Sequence, residues 1–420
     1  QKINTTFLKP DKKILFISHD GMTDPLGQSQ VIPYLQGISR SGPYHFYILS
    51  LEKKAAYEKN KQIIEQSLKG YNITWVPLTY HNKPAVFSTL YDNFKLKKAA
   101  ANLHRQHQVH MVHTRSGMPA LIGLWLKKKF GIKFLHDIRE FYADGRIDGK
   151  MWNLKNPVYN IIYRYFKQKE KQEIQYCDGI NCLTHAAERI IKKLPYYNSK
   201  TPLQVIPCSV DMQLFDPQKY GTASIAELKK GLGIQANEIV FSYLGSIGGY
   251  YLTEEMIRFC KLVAEKFPLA KFLFISPHRH EQILAVAAQY GLSTDKVITV
   301  NAKRAEVPQW LAISNYSFFF IKQAFSKLSS SPTKHAEIMA MGIPVITNNA
   351  VGDLEEIIRN TATGFVLKDF TNESFIKLID QLAGENNFNK AAIRTEAEKY
   401  YALPKAIQKY TALYTAILEE

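Results

Sequence analysis

Lys327, Lys334 and Glu337 stand at a spacing that suits one kind of ligand. They lie in the stretch Ser326 to Gly352, SKLSSSPTKHAEIMAMGIPVITNNAVG, which reads as a short helix leading into a buried strand. Ser331 fits the N-cap and Pro332 the first helical position, where a missing N–H costs nothing. Gly342 is the expected left-handed stop, ahead of Pro344 and the apolar pair Val345-Ile346. The free N–H groups and positive dipole end of such a helix start attract phosphate. Lys327 and Lys334 bracket that spot with two cations, and three consecutive serines, Ser329 to Ser331, add hydroxyl donors. Glu337, one turn after Lys334 on the same face, is an acceptor suited to a ribose diol. Phosphate beside sugar hydroxyls indicates a nucleotide or a nucleotide sugar. The competing reading is a surface helix with an ordinary cap and a Lys/Glu pair at i, i+3.

Two other segments carry groups that could meet a substrate. The loop Ser18 to Gln30, SHDGMTDPLGQSQ, follows an apolar run and precedes a helical stretch. Gly21 and Gly27 permit close backbone approach there, and Gln28 sits near the helix start. The pattern is not G-x-G-x-x-G, so a dinucleotide fingerprint is absent and oxidoreductase chemistry is disfavoured. His136 to Trp152, HDIREFYADGRIDGKMW, mixes polar and aromatic residues directly after another apolar run. Asp137, Arg139, Asp144, Arg146 and Asp148 could form a surface ion-pair network, but their place at a strand's carboxyl end favours a substrate loop. His104, His107, His110 and His113 recur every third residue. The spacing crosses from a helix into the strand-like V-H-M-V-H, which points the rings apart and disfavours a metal site.

The elements that must position these residues follow from a repeated rhythm. Short apolar runs at 13–18, 44–50, 72–76, 109–113, 132–136, 178–182 and 203–206 alternate with longer helical-period segments. The second half repeats it at 238–244, 271–276, 296–300, 315–321, 343–347 and 364–367. Strands alternating with helices predict an α/β protein with parallel sheets covered on both faces. At 420 residues the chain is long enough for two cores. The switch is expected in Pro207 to Pro217, giving domains 1–209 and 210–402, with 403–420 returning to the first. The last stretch, Glu396 to Glu420, reads as helix broken near Pro404.

Charge respects that boundary. Residues 1–209 hold 32 Lys and Arg against 15 Asp and Glu, whereas residues 210–420 hold 22 of each. The excess gathers at Lys95, Lys97 and Lys98, at Lys127 to Lys129 with Lys133, and at Arg164, Lys167, Lys169 and Lys171. The last group follows the aromatic run around Tyr159, Tyr163, Tyr165 and Phe166. It suits an interfacial helix on an anionic membrane or a basic groove for a polyanion; the plainer reading is a solvated lysine face. No run reaches the length of a membrane span, and none reads as a signal peptide. Cys177, Cys182, Cys208 and Cys260 form no CxxC pair, which suits buried thiols in a reducing cytoplasm.

Glu337 to Ile346, EIMAMGIPVI, resembles the donor-site motif of the retaining GT-B fold glycosyltransferases of family 4. The family's first glutamate would fall at Ser329, so that half is missing. Ser326 to Lys334 is instead similar to the S-K-x-x-S-S-P-T-K form of a subgroup. Further pieces align in order: Ile14 to Ile17 before the Gly21 to Gln30 loop, His136-Asp137-Ile138-Arg139, Val205-Ile206-Pro207 before V-D-x-x-x-F ending at Phe215, and Tyr243-Leu244-Gly245-Ser246.

The resemblance implies two Rossmann-like domains facing a central cleft, with the last helix packed on the first. It implies transfer from a nucleotide-diphosphate sugar, most commonly uridine-linked, to a hydroxyl of a glycan or lipid-linked acceptor. Retention would follow from front-face attack, the departing phosphate taking the acceptor's proton, with no metal or other cofactor. Carried onto this sequence, donor binding would fall to Gly27, Gln28, Gly245, Ser246, Lys327, Ser330, Ser331, Thr333, Lys334 and Glu337. Catalysis would fall to His136, Lys334 and Arg139, and the acceptor side to His19, Arg115, Asp137, Tyr142, Asp144 and Arg146.

One departure matters. Many relatives carry an arginine and a lysine just after the first strand of the second domain, whereas Gly245 to Tyr251, GSIGGYY, has neither. Lys327 and Lys334 would take over, with Arg115 or Arg139 as further candidates. Expected partners are the donor, the acceptor and an anionic inner-membrane face, with no nucleic acid. Two alternatives stay open: a GT-B type nucleotide-sugar epimerase, and a basic membrane- or nucleic-acid-binding protein with a decayed donor site.

Overall fold

A computed structural model describes residues 12–115, 117–384 and 388–419. The chain forms two compact units, Gln1–Pro207 with Leu403–Glu420, and Cys208–Ala402. The division falls two residues before the boundary expected from the charge switch.

Unit 1 is built on β1 (Lys12–Ser18), β2 (Tyr44–Glu52), β3 (Ile73–Thr79), β4 (Met111–Arg115), β5 (Lys133–Ile138), β6 (Gly179–Cys182) and β7 (Leu203–Val205). They pair in parallel in the order β3-β2-β1-β4-β5-β6-β7. Unit 2 is built on β8 (Ile239–Leu244), β9 (Ala270–Ile275), β10 (Val297–Val300), β11 (Tyr316–Phe318), β12 (Val345–Asn348) and β13 (Gly364–Leu367), in the parallel order β10-β9-β8-β11-β12-β13. Each apolar run of the sequence is a strand. The run shortened most is 315–321, where pairing ends at Phe318. Ile321 leaves the ladder because its N–H donates to Asn348 Oδ1 at 2.8 Å and it bridges antiparallel to Tyr251.

Strand residues alternate between two apolar layers, as a period of two requires. In β1, Ile14 and Phe16 join the cluster containing Tyr410, Leu413, Tyr414 and Ile417, while Leu15 and Ile17 join the one containing Ala120, Leu124 and Leu126. The first of these layers depends on the helix Leu403–Glu419, which starts after the preceding helix stops at Tyr401. That helix therefore completes unit 1. In both sheets the strand order reverses once, between β1 and β4 and between β8 and β11. Loops leaving the carboxyl ends of strands at such a reversal part to opposite faces and leave a crevice for ligands.

Arg394, on the helix Lys390–Tyr401, ties unit 2 together. Its guanidinium donates to the carbonyls of Phe215, Ala340 and Met212 at 2.5, 2.7 and 2.8 Å. It thereby links the segment entering the unit to the end of the helix Thr333–Ala340. Arg394→Met should leave three carbonyls short of a donor and cost about 2–4 kcal/mol. Arg394→Lys should recover little, because an ammonium lacks the planar fork. Chemical unfolding of the two variants checks both.

Candidate functional site

In unit 2 the helix Thr333–Ala340 brings most of the expected donor residues together. Its N-cap is Pro332, not Ser331. Ser331 is not a cap because its Oγ accepts the Cys208 N–H at 3.2 Å, and the helix therefore begins one residue later than the sequence predicts. Gly342 ends it with φ +70°, as expected, and a Cβ there would lie 2.7 Å from the Lys390 carbonyl. Before it, Phe325–Ser329 forms a tight 3-10 turn, closed by Ser329 Oγ donating to the Ser326 carbonyl at 2.8 Å. Ser330, Ser331 and Thr333 are partly exposed at the mouth of the helix, while Lys327 and Lys334 are buried.

Lys334 is 6% exposed, and its Nζ has no carboxylate within 4 Å among the described residues. It lies 3.6 Å from the centre of the Tyr251 ring and 4.4 Å from that of Tyr243, and it donates to Tyr243 Oη at 3.2 Å. Two aromatic faces give a cation partial compensation for lost water. Burial still holds the Lys334 pKa well below the usual lysine value, with Glu337 opposing. Lys327 rests on Tyr250, 3.5 Å from its ring centre. Burial pushes the Tyr251 phenol up to about 12, so it stays protonated.

The glycine loop after β8 is shaped around these cations. Gly245 has φ +130°, and a Cβ there would fall 2.5 Å from Lys334 Nζ. Glycine is therefore required twice over, for its backbone and for the space the lysine takes. Ser246, exposed beside it, accepts the Tyr243 hydroxyl at its carbonyl, 2.5 Å away. On the loop's other side stands Arg279, itself at φ +63°. Its guanidinium donates to the Ile247 carbonyl at 3.0 Å and lies 2.7 Å from where a Gly248 Cβ would be. Sequence reasoning missed Arg279 because it is far from the loop in the chain; only the pairing of β8 with β9 brings it there. Glu337, 4% exposed, is ion-paired with Arg304, which in turn lies 4.7 Å over the Phe215 ring.

In unit 1, strand register lines up Ser18, Arg115 and Asp137 at the carboxyl ends of β1, β4 and β5. The loop after β1 is held by Glu52, a second residue the sequence did not flag. Its carboxylate accepts the Met22 and Thr23 N–H groups at 2.7 and 3.1 Å, and the hydroxyls of Thr23 and Ser50 at 2.5 and 2.6 Å. Gly27 and Gln28 are not in an open loop, because Pro25 starts a helix there, Pro25–Gln30. Gly27 packs so closely that a Cβ would sit 2.2 Å from the Gly21 carbonyl oxygen, and Gln28 donates to the Thr23 carbonyl at 3.0 Å.

The polar groups around β5 divide between the faces of the sheet, which corrects two expectations. His136 does not face a reacting sugar: it lies in the body of β5, buried against Phe134, with Nε2 3.8 Å from Glu173. Burial lowers its pKa to about 4, and burial with neighbouring Glu170 raises Glu173 to about 8, so the pair is uncharged at neutral pH. Asp137 does not reach an acceptor. On the opposite face, its oxygens accept Asn181 Nδ2 at 2.6 Å and Tyr410 Oη at 3.2 Å, with His113 at 3.5 Å and Arg139 at 3.6 Å. Against the effect of burial, Arg139, His113 and Arg115 keep it below the usual carboxylate range.

The remaining candidates cluster around the loops of that sheet end. Arg115 meets Asp20 at 3.3 Å, and the half-buried His19 ring packs edge-on to Tyr80 with its pKa lowered by burial. Arg146 lies 4.5 Å over the Tyr142 ring. Asp144 accepts Tyr163 at 3.0 Å and Lys167 at 2.8 Å, fastening the helix Tyr142–Asp148 to the helix Pro157–Tyr176. Of the spaced histidines, His104 packs on Phe130, His107 stacks on Tyr47, and His113 bonds Tyr414 at 2.6 Å.

Residues 224–399 match the family model described as glycosyl transferases group 1. The enzyme is a glycosyltransferase. No curated protein matches the chain. Among solved structures, sucrose-phosphate synthase from Thermosynechococcus elongatus aligns over 96% of this chain and 98% of its own, at a TM-score of 0.72 and 15% identity. The HepE protein of Anabaena, solved with UDP and glucose, aligns over 96% and 99%, at 0.69 and 13%. A glycosyltransferase from Rickettsia africae aligns over 97% and 99%, at 0.68 and 16%. At such identities the likeness establishes the fold, which is GT-B.

A buried lysine without a carboxylate has a thermodynamic signature. The unfolded chain binds a proton at Lys334 up to its ordinary value of 10.5, while the folded chain releases it earlier. The resulting penalty is complete below the folded pKa and fades as pH rises towards 10.5. Lys334→Met should therefore stabilise the ligand-free glycosyltransferase by on the order of 1–2 kcal/mol at pH 7, with the gain shrinking by pH 10. The same variant should show a smaller rise in Tm with a nucleoside diphosphate than the parent does, because the free diphosphate carries the charge that Lys334 meets. Thermal unfolding with and without nucleotide reads both.

Proposed function

We propose that this glycosyltransferase moves a sugar from a nucleotide-diphosphate donor to a hydroxyl of a glycan or lipid-linked acceptor, with retention and without a metal ion. The observation that carries the reading is Lys334, a buried cation facing a glycine loop with no carboxylate within 4 Å of its Nζ among the described residues. A ligand that brings two negative charges supplies what that site lacks. As the bond between the sugar carbon and the phosphate oxygen breaks, charge gathers on the diphosphate. Fixed cations and helix N–H groups stabilise that charge more than the ground state. In this assignment Lys334 and Arg279 flank the Gly245–Gly249 loop and replace the cation pair that relatives carry within it. Glu337, oriented by Arg304, accepts from the donor ribose. UDP is the first nucleotide to test, since the Anabaena HepE protein was solved with UDP and glucose.

Retention follows if the departing phosphate takes the acceptor's proton on the sugar face it leaves. The burial of His136 and Asp137 supports this reading over one that needs a protein base from β5. The deciding experiment is donor hydrolysis by the purified protein, with the anomer followed by NMR. First release of the donor's own anomer is expected; the opposite anomer would refute retention, and turnover that stops with chelator would refute metal independence.

Two substitutions divide the roles. Lys334→Ala should depress kcat by at least tenfold, about 1.4 kcal/mol of barrier, with a smaller change in donor affinity. Glu337→Ala should instead weaken nucleotide binding by about 1.5–3 kcal/mol with the fold intact. Arg279→Ala should lower kcat in the manner of Lys334→Ala if it stabilises the leaving group; a twofold effect or less would return it to a loop-bracing role.

A further inference from the structure

The helix Ala85–His107 is seated on unit 1 through Ser88, Asp92, Leu96, Ala100 and Leu103, all buried. These positions recur every third or fourth residue, so the helix is fixed in rotation and its other face must meet whatever surrounds the protein. That outer face should be polar. It instead carries Phe87, Leu90, Tyr91 and Phe94, exposed by 73%, 60%, 53% and 64%. Spacings of three, one and three residues join them into a single stripe. One exposed leucine on a surface needs no account; four large apolar side chains in a row on one helix do.

The charge around the stripe has one sign. The helix holds Lys95, Lys97, Lys98 and Arg105 but a single carboxylate, Asp92. That carboxylate is turned inward, accepting the His81 backbone N–H at 2.7 Å with the His81 ring 2.6 Å away. Lys95 folds back towards Tyr91, its Nζ 5.5 Å from the ring centre. Unit 1 as a whole has 34 Lys and Arg against 17 Asp and Glu. A second helix of the same unit, Pro157–Tyr176, exposes Val158, Ile161 and Tyr165 beside Arg164 and Lys169.

We infer that the stripe Phe87, Leu90, Tyr91 and Phe94 inserts into the interface of an anionic lipid bilayer, with the neighbouring lysines at headgroup level. An apolar face bordered by cations and cleared of carboxylates matches that surface in both layers, acyl and phosphate. A second copy of the chain fits it less well, because pairing the stripe with itself brings like charges together. The inference leans on the proposed function only for the reason a glycosyltransferase would sit on lipid, a lipid-linked acceptor. Binding itself is separate from catalysis and is tested separately.

The test is co-sedimentation of the full chain with phosphatidylcholine vesicles, with and without phosphatidylglycerol, at low and high salt. The parent protein should bind the anionic vesicles, and Phe87→Ser/Phe94→Ser should bind them roughly tenfold more weakly with an unchanged Tm. Ile376→Ser, at a half-exposed apolar position of unit 2, should bind as the parent does. Should the double variant not fold, Leu90→Gln reads the same surface with one change. Absence of binding by the parent overturns the inference, as does equal binding by the stripe variants, which would leave charge alone responsible. A dimer in the parent that Phe87→Ser/Phe94→Ser dissolves would overturn it in favour of a second copy. Vesicle binding that survives in a protein with no donor hydrolysis supports the stripe and refutes only the transfer reading.

Discussion

An ammonium group almost sealed from water, with no carboxylate within 4 Å among the described residues, is costly to keep, and much of unit 2 is arranged around that cost. Lys334 has exchanged its hydration for two tyrosine faces and one phenolic oxygen. The tyrosines that supply them come from β8 and from the end of the glycine loop, so the loop's path and the lysine's position are one solution to one problem. Gly245 gives up its side-chain space to the ammonium, and Tyr243 bridges from Lys334 to the Ser246 carbonyl. An incomplete site of this kind is poised for an anion, since the missing interaction is the one a phosphate supplies.

Unit 1 meets the opposite problem with the opposite sign. There a buried carboxylate, Glu52, faces backbone and hydroxyl donors instead of a cation. Its four hydrogen bonds hold the turn after β1 against β2, and Gly27 lets the next helix lie directly on that turn. Asp137 plays a comparable part on β5, joined to Asn181 and Tyr410. In both units a charged group inside the protein sets the course of a loop at the carboxyl ends of the strands, where parallel sheets place their ligands.

The strands were legible in the sequence because a parallel sheet covered on both faces writes itself as short apolar runs, and each predicted run is one. The start of the helix Thr333–Ala340 was legible to within a residue. The error arose because Ser331 spends its hydroxyl on the Cys208 N–H, a contact with no local signature. His136 and Asp137 misled for a related reason: adjacent strand residues point to opposite faces, and neither face was known to be closed until helices from distant sequence lay on them. Arg279 and Glu52 were not legible, because their roles depend on strand neighbours, β9 beside β8 and β2 beside β1. In the aromatic helix Pro157–Tyr176, Tyr163 bonds Asp144 and Phe166 packs on Tyr142 and Trp152, while Val158, Ile161 and Tyr165 are exposed.

The helix Leu403–Glu419 has a consequence for the order in which the protein can be made. Unit 2 is one continuous stretch of chain, whereas unit 1 lacks Tyr410, Leu413, Tyr414 and Ile417 until the ribosome has passed the whole of unit 2. A nascent chain can thus finish its second globule before its first, holding an uncovered β1–β4–β5 surface and an Asp137 without its tyrosine for the interval between. Synthesis from amino to carboxyl end and completion of the fold run in opposite directions.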